Sequence, residues 1–310
     1  MKKLLRKIEE KKKSKKTLWR ILKLAKYSLW KIRYPFLNII ISIETRFYRR
    51  KLPDFIIPGI MKGGTTSLWF HLNQHPKIEM SPNFLKLRQD PDGSLREDRK
   101  EIHFFDERDK WRRGIKWYQQ FFNDNDKLQG EATPNYLHNF CAHKRMFKIL
   151  PKAKLIIVLR DPIKRAFSEY NQIQHSYPIS KNWCYLPRKS FRENILKEIE
   201  KKFEGGIIKK GFYMEQIKNL LRYFPRKQLL IIISEQMKKN PQETYDKICD
   251  FLGIRRINIK SINYDPFMNS KRYFKKPKKK DALILYEIYK PYNEELFKFL
   301  GYEIKEWERL

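Results

Sequence analysis

The sequence has few cysteines, few acidic residues for its many basic ones and, near its start, no long apolar run. Its three cysteines, Cys141, Cys184 and Cys249, are widely spaced, which excludes a disulfide framework and matches no zinc-binding pattern. We therefore expect reduced core thiols in a cytoplasmic protein. The longest uncharged run of the N-terminal region, 34–43, has ten residues, whereas a membrane-spanning helix needs roughly 20. Neither a transmembrane anchor nor a cleaved signal peptide is predicted.

Basic residues outnumber acidic residues by 69 to 35, which gives a formal net charge of +34. Such a field attracts nucleic acid, an anionic membrane surface, or a phosphorylated or acidic small substrate. A codon composition rich in A and T explains part of the lysine excess equally well, so the charge informs about partners and not about the fold. Apolar residues make up 41% of the chain and aromatic residues 15%, which allows a large core and excludes general disorder.

The composition changes near residue 51, and we predict two parts, an extension at 1–51 and a folded domain at 52–310. The extension carries eighteen Lys or Arg and three acidic residues, with Trp19, Tyr27 and Trp30 among the charges. This pattern predicts a basic amphipathic segment that contacts the anionic inner face of a membrane. A solvated basic arm that packs on its own domain is the alternative.

The folded part alternates short apolar runs with longer mixed segments. The runs 54–60, 154–159 and 228–233 are rich in Ile, Leu and Val and predict buried strands of a mostly parallel sheet. Helical patterns separate them, so the predicted fold class is α/β, a P-loop-like three-layer α/β/α domain with a central, mostly parallel sheet. The helical patterns cover residues 65–74, 114–122, 140–150, 162–174, 191–203, 211–224, 241–252 and 281–300. Dense charge marks loops at 83–100 and 269–280.

A glycine turn joins the first predicted strand to the first predicted helix, in the sequence GIMKGGTTS at 59–67. Two glycines let the backbone approach a ligand closely, and the free N–H groups of a helix N-terminus attract an anion. The residues predicted to cradle a phosphate are Lys62, Gly63, Gly64, Thr65, Thr66 and Ser67. The lysine precedes both glycines, so this is not a Walker A loop, and an ordinary glycine-rich turn is the alternative.

A second candidate anion site lies in the segment KLIIVLRDPIKRAFSEY at 154–170. Arg160 follows a predicted strand and can grip a phosphate with two hydrogen bonds. Asp161 is placed to cap the following helix, and Pro162 suits its first turn. Ser168 lies two turns into that helix, on the side where it can donate to the same group. A structural cap with an arginine ion pair is the alternative.

These two motifs, in this order and spacing, resemble those of sulfotransferases that use 3′-phosphoadenylyl sulfate (PAPS). The resemblance implies that residues 62–67 hold the 5′-phosphosulfate of PAPS and that Arg160 and Ser168 bind its 3′-phosphate. The segments KEIHFFD, GEATPNYL and LLIIISEQMKKNPQETYDKICDFLGI, with the C-terminal helix, are similar to the heparan-sulfate-type branch and its bacterial relatives. The match covers roughly residues 53–310. It implies transfer of a sulfuryl group to a hydroxyl or amine, with a carbohydrate as the expected acceptor and PAP as the product.

The acceptor must lose a proton as it attacks sulfur, and a carboxylate near the sulfate would serve as general base. By resemblance Glu101 occupies that position. In an extended chain His103 would lie on the same side, where it orients Glu101 or the acceptor, or acts as base itself. Lys62 would stabilise charge on the departing oxygen. A surface ion pair for Glu101 and a core position for His103 are the alternatives. We expect no metal.

Two features depart from the relatives' pattern. The loop at 83–100 is longer than usual before the KEIHFFD segment, and Ala132 stands where animal polysaccharide enzymes often have a lysine. The late basic residues Lys271, Arg272, Lys275 and Lys276 are candidates for closing on the nucleotide or for attracting an anionic acceptor, and a solvated loop is the alternative. Two other functions stay open, a P-loop kinase-like nucleotide enzyme and a non-catalytic basic protein that binds nucleic acid or membrane, although no nucleic acid partner is expected.

Overall fold

The computed structural model describes residues 51–81, 100–176, 189–204, 206–258 and 277–307. The chain divides between residues 50 and 51 into two units, and all described residues belong to the second. Several expectations fall outside this part of the chain: the basic extension, most of the loop at 83–100, Cys184, and the basic residues at 271–276. Across the described ranges, no helix is both long and apolar enough to cross a bilayer.

The centre of the domain is a five-stranded sheet in which every pair of neighbouring strands is parallel. The order of its strands is β2-β3-β1-β4-β5, so β1 lies in the middle between β3 and β4. The strands are β1 (Phe55–Gly59), β2 (Ile78–Ser81), β3 (Leu128–Ala132), β4 (Lys154–Leu159) and β5 (Leu229–Ile233). Parallel strands place all their carboxyl ends at one edge, where α/β proteins bind ligands.

Helices connect these strands and cover the sheet. In chain order, the α-helices of the described residues are α1 (Thr65–Leu72), α2 (Arg108–Arg112), α3 (Gly114–Gln119), α4 (Phe140–Ile149), α5 (Pro162–Ser176), α6 (Phe191–Glu200), α7 (Tyr213–Leu221), α8 (Ser234–Lys239), α9 (Pro241–Leu252) and α10 (Lys279–Leu300). Short 3-10 turns occur at Pro134–Tyr136, Lys209–Gly211, Arg226–Gln228 and Lys305–Trp307.

Two apolar clusters lie on the opposite faces of the sheet. Along β4, Leu155, Ile157 and Leu159 belong to one cluster, with side chains of α4 and α7, and the alternate residues Ile156 and Val158 belong to the other, with α1 and α9. This alternation follows from the two-residue period of a strand, and it makes both faces apolar. A three-layer α/β/α domain results, so the predicted fold class is confirmed.

The three predicted strands are confirmed as β1, β4 and β5. Strands β2 and β3 were not predicted, because β2 has four residues and β3 reads LQGEA, without an apolar run. Most predicted helices are confirmed within a few residues, and the last one, α10, begins at Lys279, two residues before the predicted start.

The expectation of core thiols is correct for one described cysteine and wrong for the other. Cys249 is buried in α9, among the apolar residues that face the sheet. Cys141 is exposed, because it is the second residue of α4 and points away from the face that α4 buries through Ala142 and Met146.

Candidate active site

The glycine turn predicted from sequence lies directly after the central strand β1. Gly63 is buried and donates its N–H to the carbonyl of Ile60 at 2.9 Å. A Cβ at Gly63 would lie 2.8 Å from the carbonyl oxygen of Val158 in β4, so no side chain fits there. Gly64 has a φ of 103° and ends the turn as the N-cap of α1, a left-handed conformation that glycine adopts without steric cost. The two glycines thus fold the backbone tightly against the sheet edge.

The N-terminus of α1 has no side-chain cap. The first intrahelical bond of the turn is donated by Leu68 to the carbonyl of Gly64, so the N–H groups of Thr65, Thr66 and Ser67 belong to the first turn, whose donors have no helical acceptor. Gly64 supplies no side-chain cap, and the first turn contains no acidic residue. The helix dipole and these N–H groups favour a negative charge at this position.

The second motif joins β4 to α5 as predicted. Asp161 is buried, and its Oδ1 accepts hydrogen bonds from the backbone N–H groups of Ile163 at 2.9 Å and Lys164 at 3.2 Å. It therefore caps α5, which begins at Pro162. Arg160 is half-buried between the strand and the helix, and Ser168 lies partly exposed in the second turn of α5.

The structure brings the two motifs together. Arg160 donates from Nη1 to the backbone carbonyl of Lys62 at 2.9 Å, which links the end of β4 to the glycine turn. The backbone of Arg160 is itself fixed, since its carbonyl accepts a 2.6 Å hydrogen bond from the hydroxyl of Tyr213. Glu235 adds a further bond by accepting from the N–H of Asp161 at 3.2 Å. Lys62 and Arg160 thus belong to one basic edge of the sheet.

A buried ion cluster lies behind this edge, and the sequence analysis did not predict it. Arg165 is fully buried in α5 and donates from Nη1 to Glu169 Oε2 at 2.6 Å. Lys210 contacts the other oxygen of the same carboxylate, and its Nζ lies 3.8 Å from Met61 Sδ, beside the glycine turn. Because one buried carboxylate faces two cations, the cluster adds positive charge next to the glycine turn.

Glu101 and His103 are brought together by the structure. Oε2 of Glu101 lies 3.2 Å from Nε2 of His103, and Oε1 lies 3.0 Å from Nζ of the buried Lys100. The opposite nitrogen of the imidazole, Nδ1, lies 2.9 Å from Oδ2 of Asp106. Sequence reasoning missed Asp106 and Lys100, although an acidic residue three positions after a histidine was a signal for an imidazole held on both sides.

These contacts control the charges of the pair. Burial acts to raise the pKa of Glu101, but the positive charge of Lys100 and the hydrogen bond and charge of His103 outweigh it and lower the pKa to about 2. Burial acts to lower the pKa of His103, but its hydrogen bonds to Asp106 and Glu101 raise it to about 9. At neutral pH Glu101 is therefore an ionised carboxylate, able to accept a proton, and His103 is a cation that holds it in place.

The sequence predicts an extended chain that places His103 and Glu101 on the same side. The backbone at His103 is not extended, so this prediction is wrong. Its φ of 58° lies in the left-handed region, which costs a residue with a Cβ about 1–2 kcal/mol. The segment 102–104 is held by side chains that follow β3, since Thr133 Oγ1 accepts from the N–H of Ile102 at 3.1 Å. Because β3 is the neighbour of β1, this segment lies at the same carboxyl edge as the glycine turn.

Across the described ranges, no group of three or more His, Cys, Asp or Glu side chains is arranged to hold a metal ion.

The fold and the site define a class of protein. A central parallel strand leads through a glycine turn into an open helix N-terminus, and a second basic motif follows the neighbouring strand. This arrangement is that of P-loop-like α/β proteins, which bind phosphorylated nucleotides at the carboxyl edge of the sheet.

The chain belongs to the sulfotransferase domain family, whose sequence model matches residues 52–287. It is 34% identical over 209 residues to the human bifunctional heparan sulfate N-deacetylase/N-sulfotransferase 3. It is 27% identical over 343 aligned positions to the membrane-associated sulfotransferase kil1 of Dictyostelium discoideum, covering 83% of this chain and 67% of that protein. The crystal structure of a sulfotransferase from Alicyclobacillus acidocaldarius has a TM-score of 0.61 and 25% identity, over 84% of this chain and all of the other.

The match to the human enzyme uses 66% of this chain and 22% of that enzyme, so the chain spans about a fifth of its length. The resemblance to sulfotransferases stated from the two motifs is confirmed at the level of the family.

Proposed function

We propose that this protein is a sulfotransferase that moves a sulfuryl group from PAPS to a hydroxyl or amine of a carbohydrate. One observation carries the proposal. Two basic motifs that follow neighbouring parallel strands are joined by the hydrogen bond from Arg160 to Lys62, at the sheet edge where Glu101 is also held. The edge thus combines binding groups for a donor that has two anionic groups, the phosphosulfate and the 3′-phosphate, with a carboxylate that can take a proton.

The donor fits this edge by charge and by shape. We assign the 5′-phosphosulfate to Lys62, Gly63, Gly64, Thr65, Thr66 and Ser67, where the backbone lies close against the sheet and α1 begins with no acidic residue. We assign the 3′-phosphate to Arg160 and Ser168. Arg160 is suited to this role because its guanidinium presents several donors in a plane that matches a phosphate.

In the proposed reaction the acceptor oxygen or nitrogen attacks the sulfur of PAPS. A bond forms between the acceptor atom and sulfur, the bond from sulfur to the bridging oxygen breaks, and PAP leaves with the bonding electrons. Glu101 takes the acceptor's proton. Lys62 stabilises the negative charge that develops on the departing oxygen. His103, charged at neutral pH, orients Glu101 and keeps it ionised, so we assign it a positioning role and not that of the base.

The acceptor class rests on the relatives and on the chemistry of the edge. The similar human enzyme carries heparan sulfate in its name, as does a mouse glucosamine 3-O-sulfotransferase that is 29% identical over 211 residues. A carbohydrate supplies both hydroxyl and amine nucleophiles. The excess of basic residues on this chain suits an anionic donor and does not oppose an anionic acceptor.

The test is incubation with sulfur-labelled PAPS and a panel of glycans, with Lys62→Ala and Glu101→Gln as controls. Label should move to at least one glycan, and PAP should appear in equal amount. Both variants should lose transfer by about a hundredfold or more, the usual scale for a positioned base or a charge-stabilising group. If wild-type protein transfers nothing from PAPS but turns over ATP with magnesium, the kinase-like alternative replaces this proposal.

We propose further that the protein is cytoplasmic and contacts the anionic inner membrane face through residues 1–51. The charge of this segment and its aromatic residues support the contact, and the relative kil1 is named as membrane-associated. Cosedimentation of the full chain with phosphatidylserine vesicles, but not with neutral vesicles, is the expected result. Equal recovery of the protein with phosphatidylserine vesicles and with neutral vesicles would contradict the proposed contact.

A further inference from the structure

The segment that carries Glu101 and His103 is held by two buried hydroxyl groups. Thr133 Oγ1 accepts from the backbone N–H of Ile102 at 3.1 Å and lies 3.4 Å from that of His103. The hydroxyl of Tyr136 accepts from the N–H of Phe104 at 2.9 Å. Three consecutive peptide groups are therefore fixed by two side chains that follow β3. The hydroxyl-bearing residues are themselves fully buried.

Both hydroxyls donate to one carboxylate. Thr133 Oγ1 donates to Glu131 Oε1 at 2.8 Å, and Tyr136 Oη donates to the same oxygen at 2.6 Å. A hydroxyl has a single proton, so each hydroxyl that gives it to Glu131 must turn its lone pairs toward the peptide N–H groups. Glu131 thus sets the direction of the bonds that Thr133 and Tyr136 accept from the peptide groups of segment 102–104. A third hydroxyl, that of Tyr118, donates to Oε2 of Glu131.

The held segment contains the strained residue. His103 has a φ of 58°, and such a conformation persists only where the surroundings fix it. The bonds to Ile102, His103 and Phe104 fix it from both sides. This turn places the imidazole 3.2 Å from Glu101 and 2.9 Å from Asp106. Loss of the hydroxyl bonds would let the segment relax toward an unstrained backbone and separate the pair.

We infer that Glu131, Thr133 and Tyr136 form a positioning unit for the proton-accepting carboxylate Glu101. The inference rests on the proposed function, since it explains how that base is aimed at the acceptor. In this role Glu131 acts through the two hydroxyls and the backbone, and it contacts neither PAPS nor the carbohydrate acceptor. It is fully buried, so its net contribution to folding is small or unfavourable unless all its partners are present.

Two matched variants distinguish a positioning role of the Tyr136 hydroxyl from a general effect of removing a hydroxyl from the buried Glu131. Tyr136→Phe and Tyr118→Phe each keep the ring and each remove one hydroxyl from the same buried carboxylate. Only Tyr136 also holds a peptide group of segment 102–104. Tyr136→Phe should lower kcat for sulfuryl transfer about 10- to 100-fold, the scale of a small misplacement of a catalytic group. Its KM for PAPS should change less than about threefold, whereas Tyr118→Phe should keep kcat within about twofold of wild type.

A second pair keeps the test decisive if Tyr136→Phe does not fold. Thr133→Ser retains the hydroxyl and should keep kcat, while Thr133→Val removes it and should lower kcat as Tyr136→Phe does. The His103 pKa, followed by NMR in the absence of substrates, gives a readout independent of activity. It should fall in Tyr136→Phe and Thr133→Val, because the contact with Glu101 loosens, and should hold in Tyr118→Phe and Thr133→Ser.

The outcomes are distinguishable. Equal losses of kcat and equal shifts of the His103 pKa in Tyr136→Phe and Tyr118→Phe would show general destabilisation and overturn the inference. Unchanged kcat and unchanged His103 pKa in Tyr136→Phe and Thr133→Val would overturn it as well. If wild-type protein neither binds PAP nor transfers sulfate, the proposed function fails, and the His103 titration alone still decides whether Glu131 and its hydroxyls position the segment.

Discussion

Glu101 and His103 each stabilise the charged form of the other. Glu101 is three-quarters buried, with 23% of its side chain exposed, and His103 has 18% exposed. Either charge alone would be costly at such burial, and together they become a hydrogen-bonded ion pair that Lys100 and Asp106 extend on either side. A carboxylate in this setting stays ionised at all physiological pH values, at the expense of proton affinity.

The ion pair makes stability depend on pH in a defined direction. The pKa of His103 rises from 6.5 to about 9 on folding, so its contribution is complete below pH 6.5 and is lost as the pH rises through about 9. The pKa of Glu101 falls from 4.5 to about 2, so its contribution is complete above pH 4.5 and is lost as the pH falls toward 2. The pair therefore stabilises the fold most between pH 4.5 and 6.5.

His103→Gln should consequently destabilise the protein most at pH 6 and least at high pH. We expect the free energy of unfolding to fall by roughly 1–3 kcal/mol at pH 6 and the difference from wild type to shrink markedly by pH 10. Denaturant titrations of both proteins across this range measure the difference. A constant or growing difference toward high pH would show that His103 is not held as a cation.

Among the elements, the glycine turn before α1 gives the proposed anion site its shape. Gly64 has a φ of 103°, and Gly253, at the end of α9, has a φ of 78°. Both residues adopt a left-handed backbone that disfavours any side chain, but only Gly64 lies at the proposed site. A Cβ at Gly64 would lie 3.1 Å from Met237 Cε, whereas a Cβ at Gly253 would meet nothing within 4 Å.

This difference provides a control for the turn. Gly64→Ala and Gly253→Ala should each lower the free energy of unfolding by about 1–2 kcal/mol, the cost of a left-handed alanine. Only Gly64→Ala should also weaken PAP binding, by about tenfold or more, since the first-turn N–H groups of α1 shift. Thermal unfolding and calorimetric titration with PAP measure the two effects. Equal PAP affinities in the two variants would remove the turn from the donor site.

Some strands of the sheet could be predicted from the sequence and others could not. The strands β1, β4 and β5 are continuous runs of Ile, Leu and Val, so composition alone identified them. The strand β3 reads LQGEA and is buried because Gly130 lies beneath Phe55 and Met80. Glu131 in this strand is compatible with burial because three hydroxyls donate to it. Phe55 and Met80 are distant from Gly130 in sequence, so their contact has no local pattern. Thr133 and Tyr136 are close to Glu131 in sequence, but only the turn after β3 brings their hydroxyls back to its carboxylate.

The candidate site also has a part that could be predicted from the sequence and a part that could not. The positions of residues 62–67 and Arg160 were predictable, because each motif lies in contiguous residues where a strand meets a helix. The contacts that hold Glu101 were not predictable, since Thr133 and Tyr136 act on a segment about thirty positions earlier in the chain. The left-handed φ of His103 likewise has no signal in the sequence, since histidine does not require it.

At the scale of the whole molecule, the order of the strands unites the site. With β1 between β3 and β4, the glycine turn, the Glu131 segment and the Arg160 motif all leave the sheet at neighbouring carboxyl ends. A different strand order would have separated them by the width of one or two strands, roughly 5–10 Å. For the proposed anionic donor, the positive charge of the chain would raise the rate of encounter with this edge of the sheet.

We propose that the two basic motifs form one nucleotide site for PAPS. The decisive measurement is calorimetric titration of wild-type protein and of Arg160→Ala with PAP, without added metal. We expect one-to-one binding to wild type and a loss of affinity of about tenfold or more in Arg160→Ala, since a charge-assisted phosphate contact is removed. Absence of PAP binding to the wild type, or equal binding by the variant, would contradict it.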